Sequence, residues 1–184
     1  MALRGAAIYL ASPRAARGGR GVESTAMSER IDYAQVAPRG VKALGGVHLY
    51  VSQSGLSPVL LTSVYLRVSL INGCAYCIDM HSRELRDLGV SNEKIALVPV
   101  WEEAGALFDS RERAALAWAE TVTRISRTGA PDSAYAAVSA HFDDKELVDL
   151  TLAIGLMNTY NRLAISFRNP PAAANAKDAE TQEN

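Results

Sequence analysis

The sequence predicts an all-α protein, and three observations carry that reading. Apolar residues recur at spacings of three and four, and no segment shows the apolar–polar alternation of a strand. Helix-start chemistry repeats along the chain: Asp109 with Glu112 and Asp143 with Glu146 have capping-box spacing, and Pro58 and Pro131 suit first-turn positions. Glycines then stand where the periodic segments stop, at Gly55, Gly73 and Gly89.

The elements follow in order. A helix over Val41–Ser54 comes after Pro38 and ends at Gly55. Pro58 opens a second, with Ser57 as its N-cap, running to Ile71. Asn72-Gly73 breaks the pattern as a turn. A third helix spans Cys74 to Leu88 and closes at Gly89. Ser91 caps a short helix that stops near Pro99. The capping pair at Asp109 opens "SRERAALAWAETVTRIS", and Pro131 opens a segment reaching Phe142. The second capping pair opens "KELVDLTLAIGLMNTYNRLAISF". This last helix is apolar over much of its circumference from Leu147 to Ile165, which places it at the centre of a bundle or at a subunit contact.

Composition narrows the classes of function. With 184 residues the chain suffices for one domain with a substantial core. A net charge of −1 gives no sign of a nucleic-acid partner. No apolar run approaches the roughly 20 residues that span a bilayer. We expect a cytoplasmic protein with no membrane partner. Residues 1–26 contain Arg4, Arg14, Arg17 and Arg20 against a single acid, Glu23; they read as a disordered leader, with a transit peptide as the alternative. Residues 27–168 read as the helical domain, and the Pro-, Ala- and polar-rich segment 169–184 as a disordered tail.

The stretch "INGCAYCIDMHSREL" holds both cysteines of the chain, Cys74 and Cys77, with His81 four residues beyond the second. A disulfide this short closes a tiny loop and constrains the unfolded chain little, so stability is a poor reason for the spacing. At about 100° per residue, Cys74, Cys77 and His81 share one helix face. The helix N-terminus favours thiolate at the cysteines. A neighbouring imidazole can take a thiol proton or stabilise the anion. One thiolate can then attack while the other thiol resolves the intermediate to a disulfide. Peroxide reduction needs those parts, and so does thiol–disulfide exchange with another protein.

Other readings of these residues remain open. Zinc would have three ligands here, Cys74, Cys77 and His81, where a closed structural site wants four. His48 or His141 would have to complete it through the tertiary fold. Otherwise those two histidines read as ordinary surface or core residues. Asp79 points away from the sulfur face, and Glu84 lies three residues from His81, within hydrogen-bonding reach but reading as an exposed carboxylate.

With these residues in hand, "LRVSLINGCAYCIDMHSRELRDLG" resembles the core of alkylhydroperoxidase AhpD-like proteins of the carboxymuconolactone decarboxylase superfamily. The likeness continues through "PVWEEAGALFDSRERAALAWAETVT" and "HFDDKELVDLTLAIGLMNTYNRLAISFR", over residues 30 to 168. It implies an AhpD-like helical bundle with the cysteine pair at the start of a helix. It implies a homo-oligomer, a trimer or hexamer, with sites near subunit contacts. It also implies roles: Cys77 peroxidatic, Cys74 resolving, His81 in a proton relay, with no metal or organic cofactor. The partners implied are a peroxide substrate and a dithiol reductant or peroxiredoxin.

One position departs from that pattern. The family carries a glutamate twelve residues before the first cysteine, and here that residue is Thr62. A threonine hydroxyl can orient water or imidazole but is no base at neutral pH. Tyr76 stands where some members have a second histidine. Arg67, on the preceding helix, reads as an anchor or an electropositive neighbour. The expectation is therefore a dithiol peroxidase short of its usual carboxylate. The alternatives are a protein-disulfide reductant for a peroxiredoxin, or a zinc-bound or merely structural oligomer. The decarboxylase chemistry of the superfamily uses no vicinal dithiol and fits poorly.

Overall fold

The computed structural model describes residues 29–174, so the leader and the end of the tail lie outside the described residues. Among the described residues there are nine α-helices and no strand. They are α1 (Tyr33–Val36), α2 (Pro38–Ser52), α3 (Pro58–Asn72), α4 (Ala75–Asp87), α5 (Asn92–Leu97), α6 (Ser110–Thr123), α7 (Ile125–Thr128), α8 (Asp132–Ser139) and α9 (Asp144–Phe167). Two 3₁₀ segments, Val98–Glu103 and Gly105–Leu107, join α5 to α6.

The start signals act as their chemistry dictates. Asp109 and Asp143 both complete full capping boxes, each accepting from the backbone of the glutamate three residues on while that glutamate accepts from the cap's own N–H. The Ser91 hydroxyl accepts from Lys94 N–H at 3.3 Å. Ser57 occupies the N-cap of α3 without a side-chain bond; Pro58, with no N–H to satisfy, follows it. Pro38 does the same for α2, which therefore begins three residues before Val41, where the sequence pattern places its start.

Two short elements escape the pattern. The single turn of α1 is too brief to show a period. The stretch 98–107 is broken by Pro99 and Gly105 into tight 3₁₀ turns. Helix α8 stops at Ser139 rather than Phe142, and Phe142 turns into the core instead.

The core is built around α3 and α9. Leu60, Leu61, Val64, Tyr65 and Val68 of α3 pack with Leu150, Ala153, Ile154, Met157 and Tyr160 of α9 and with Ala115, Trp118 and Ala119 of α6. A second cluster of Leu66, Leu85, Val98, Trp101, Phe108 and Leu116 seats α4 and the 3₁₀ turns against the other side of α3. Arg67 is an anchor: its Nε and Nη2 donate to Glu120 Oε1 at 3.0 and 2.8 Å, and its Nη1 donates to the Pro99 carbonyl. Helix α9 is thus central, yet Val148, Leu152 and Ile165 on it stay exposed, as do Val47, Leu49 and Tyr50 on α2.

The α3–α4 turn sets the site. Gly73 adopts a left-handed conformation (φ 72°) that a side chain would strain. Its N–H donates to the Leu70 carbonyl at 3.3 Å, and Cys74 N–H reaches back to the Ser69 carbonyl at 3.0 Å. That Schellman closure leaves Cys74 as the N-cap of α4.

Candidate active site

The first turn of α4 brings the two cysteines together as the spacing requires. Cys74 Sγ accepts a hydrogen bond from Cys77 N–H at 3.4 Å, doing the work of an N-cap oxygen. Both thiols are free, and each cysteine is only 1% exposed. They pack with Ala164 of α9, with Tyr76 alongside.

The two thiols shift one another in opposite directions. The hydrogen bond from Cys77 lowers the Cys74 thiol below its ordinary value, with help from the Cys77 backbone N–H and Asn161, against the opposing effect of burial. Cys77 is raised, first by its hydrogen bond to Cys74, then by burial and by the charge on Cys74. Of the two, Cys74 is the readier to ionise.

One turn further along α4, His81 is equally buried. Its Nδ1 lies 2.6 Å from Glu84 Oε2. An ionised carboxylate only accepts, so Nδ1 carries a proton towards it. The histidine thus has a carboxylate partner three residues on, from the same helix. Thr62 itself lies buried on α3. The Tyr65 ring packs between His81 and His48, with centroids 5.3 and 6.3 Å away. Burial lowers the His48 pKa.

Phenols surround the sulfurs. Tyr33 is pushed up to about 12 by burial, with Tyr76 and Cys77 among the neighbouring charges that add to it. Tyr160 is likewise pushed up to about 12 by burial, and Tyr76 is raised by burial and then by Cys77. The segment before α1 and α1 itself meet the end of α9 over this side. Arg30 N–H donates to the Phe167 carbonyl at 2.9 Å, Asn169 Nδ2 donates to the Tyr33 hydroxyl at 3.2 Å, and Tyr33 stacks at a tilt on Phe167.

Other residues singled out in the sequence fall elsewhere. His141 lies on a shallow groove between α6 and α8, of about 320 Å³, and its carbonyl accepts from Arg111. Asp79 pairs with Arg83 at 2.8 Å. Among the described residues no three His, Cys, Asp or Glu side chains are grouped to hold a metal ion, so the zinc reading finds no ligand set there.

The sequence reading missed a polar network behind the sulfurs. Asn161 and Ser69, both fully buried, act on the thiols against burial: Asn161 favours the thiolate at each cysteine and Ser69 favours it at Cys77. Asn161 Nδ2 also donates to Ser69 Oγ at 3.0 Å, while Asn72 Nδ2 donates to Asn161 Oδ1 at 2.9 Å. The available signal was a buried asparagine on an otherwise apolar face of α9, since such an amide requires partners.

Comparison with known proteins agrees with this arrangement. Residues 37–121 match the model of the carboxymuconolactone decarboxylase family. The uncharacterized protein YdfG of Bacillus subtilis is 35% identical over 80% of this chain and 99% of its own length. A crystal structure from Agrobacterium tumefaciens, of a protein of unknown function provisionally described as the antioxidant defence protein AhpD, is 44% identical. It covers 78% of this chain and 98% of that one, with a TM-score of 0.76. A peroxidase-related protein from Ralstonia eutropha, described as an alkylhydroperoxidase AhpD core, shares the fold at 23% identity and a TM-score of 0.66, over 75% of this chain and 73% of its own. The fold and the dithiol define a carboxymuconolactone decarboxylase-family protein, and within that family this chain belongs to the AhpD-like group.

Proposed function

We propose that the protein is a thiol-dependent peroxidase that reduces alkyl hydroperoxides through a Cys74–Cys77 redox pair. The observation that carries this reading is a dithiol at a helix start that is only 1% exposed and backed by the His81–Glu84 pair. A site that closed admits a small peroxide far more readily than the disulfide of a folded protein.

In the proposed cycle Cys77 gives its proton to His81 and becomes the thiolate. Cys77 attacks the distal peroxide oxygen, forming an S–O bond and breaking the O–O bond. Cys77 becomes the sulfenic acid, and the alkoxide takes that proton back from His81 to leave as an alcohol. Cys74 then gives up its proton to His81 Nε2, attacks Cys77 Sγ and expels hydroxide, which leaves as water with that proton. One hydroperoxide and two thiol hydrogens yield an alcohol, water and a disulfide. A small dithiol reductant returns the pair to its starting state. Glu84 orients the His81 ring through Nδ1, and Nε2 is the atom that handles protons. The site operates within a homo-oligomer, a trimer or hexamer, in the cytoplasm; among the described residues no helix is long and apolar enough to cross a membrane.

A second reading, reduction of a partner peroxiredoxin's disulfide, is favoured by the lowered Cys74 thiol at the helix start. The test separates them. The purified protein, fully reduced, is given an alkyl hydroperoxide in one arm and an oxidised peroxiredoxin in the other. The disulfide is mapped by mass spectrometry. Rapid Cys74–Cys77 disulfide formation in the first arm alone is the expected result. Oxidation by the peroxiredoxin alone would replace the first reading by the second.

A further inference from the structure

The backbone that follows α9 crosses the dithiol, and few contacts hold it there. Cys74 and Cys77 pack against Ala164 near the end of α9. Four residues on, Arg168 ends that helix with a left-handed φ of 58°, a conformation that a side chain disfavours. Asn169 N–H then donates back to the Ala164 carbonyl at 2.9 Å. Further along, Ala173 N–H reaches Asp79 Oδ2 on α4 at 3.4 Å. Asp79 stands two residues past Cys77, so this stretch runs from one neighbour of the sulfurs to another. The segment around α1 fastens it. Arg30 donates to the Phe167 carbonyl through its N–H and to the Ser166 carbonyl through Nη1, at 2.9 and 3.1 Å. The Tyr33 ring lies on Phe167 with centroids 5.8 Å apart, and its hydroxyl accepts from Asn169 Nδ2 at 3.2 Å. Cys77 and Tyr76 are among the groups that raise the Tyr33 pKa, which agrees with a phenol on the sulfur side.

We propose that residues 30–33 and 167–169 form a clasp that sets the size limit of the dithiol, passing small hydroperoxides and small thiols and excluding the thiols of other proteins until it opens. The inference rests on the reading of the pair as a reactive dithiol and specifies which reactants reach it. A peroxide has to bring only an oxygen to Cys77. A protein thiolate that reduced the Cys74–Cys77 disulfide would bond to one sulfur as the old S–S bond broke and the other sulfur left as thiolate. That mixed disulfide ties a second folded chain to a site that the clasp covers. The clasp is also built to open. No residue of α1 is buried, and elements with few buried contacts open at low cost. Asn169 Oδ1 is buried without a hydrogen-bond partner among the described residues, so closure leaves an acceptor unsatisfied that opening exposes to water. The left-handed Arg168 is the point at which the tail would swing.

The test is alkylation of the reduced full-length protein by two maleimides that share a reactive group and differ in size, N-ethylmaleimide and a long polyethylene-glycol maleimide. Rates are followed by mass spectrometry and the fold by thermal melting. In the wild type the large reagent lags far behind the small one. Tyr33→Ala removes the ring contact and the hydroxyl acceptor together. It speeds the large reagent about tenfold, the effect of roughly one lost hydrogen bond on an opening equilibrium, and leaves the small reagent and the melting temperature nearly unchanged. Tyr33→Phe, which keeps the ring, falls between. Equal rates of the two reagents in the wild type overturn the clasp, and so does a folded Tyr33→Ala protein whose large-reagent rate is that of the wild type. Should Tyr33→Ala fail to fold, Asn169→Ala, which removes only the bond to the phenol, is read in the same way. The expected rates in a protein inert to alkyl hydroperoxide would keep the clasp and discard the peroxidase reading.

Discussion

The Glu84–His81 contact offers the sharpest prediction, because the proposed cycle passes its protons through His81 and Glu84 is the carboxylate that touches it. Glu84→Gln keeps size and hydrogen-bonding capacity but removes the charge. The bond is 2.6 Å long, between a histidine that is 1% exposed and a carboxylate whose side chain is 25% exposed, so solvent screens it only in part. Charge-assisted hydrogen bonds contribute about 1.5–3 kcal/mol net. If the full amount is realised when His81 takes a proton, its loss slows the peroxide-dependent step by roughly 10- to 100-fold. The assay is single-turnover oxidation of the reduced protein by an alkyl hydroperoxide, followed as loss of free thiol, for wild type, Glu84→Gln and His81→Gln. Glu84→Gln should fall between the other two, and the double variant should be no slower than His81→Gln alone, since the carboxylate acts only through the imidazole. A folded Glu84→Gln protein at the wild-type rate would show that Glu84 is an ordinary helix carboxylate and that His81 needs no partner. A double variant much slower than His81→Gln would show that Glu84 acts on the substrate directly.

Four further outcomes are expected. Cys77→Ser should abolish peroxide consumption, whereas Cys74→Ser should leave a sulfenic acid on Cys77 that a dimedone probe traps; the reverse pattern would exchange the two roles. The pH profile of Cys74 alkylation should shift upward in Cys77→Ala, because the hydrogen bond that lowers the Cys74 thiol is then gone, and an unmoved profile would contradict that effect. Gly73→Ala should cost about 1–2 kcal/mol in urea unfolding, since alanine must adopt the left-handed conformation (φ 72°) that sets the start of α4, and a variant as stable as wild type would mean that the turn rearranges freely. Light scattering should find a trimer or hexamer that Val148→Asp with Leu152→Asp breaks down, given the apolar residues left exposed on α9; a wild-type monomer at micromolar concentration would sink that expectation.

What the sequence disclosed depended on whether the physics was local. Capping boxes at Asp109 and Asp143, the Gly73 turn and the cysteine pair at a helix start are decided within four residues, and each stands where the spacing puts it. The one-turn α1 and the 3₁₀ stretch around Pro99 carry too little period to be read. The site divides in the same manner. Cys74, Cys77 and His81 share a helix face by arithmetic alone. Glu84 was within reach by the same arithmetic, but whether a helix carboxylate turns to solvent or to its neighbour depends on what covers it. Asn161 could not be linked to the cysteines, because it lies more than 80 residues away in sequence and α9 meets them only after the bundle has closed.

Neutral side chains around the sulfurs suit the proposed redox cycle. A thiolate in a nearly closed site would carry a charge that the disulfide lacks. A buried lysine or arginine would stabilise the first state and be left without a partner in the second, and removing the partner of a buried charge costs several kcal/mol. That would hold the pair reduced and oppose disulfide formation. An amide and a hydroxyl behave differently. Asn161 has bonds to Asn72 and Ser69 that do not depend on the state of the sulfurs. Arg67, the cation on α3 nearest in sequence to the cysteines, is committed elsewhere, to Glu120 and the Pro99 carbonyl. His81 stands one turn along α4 from Cys77, and its partner Glu84 remains in contact with solvent. A site of this kind would stabilise a thiolate without trapping it.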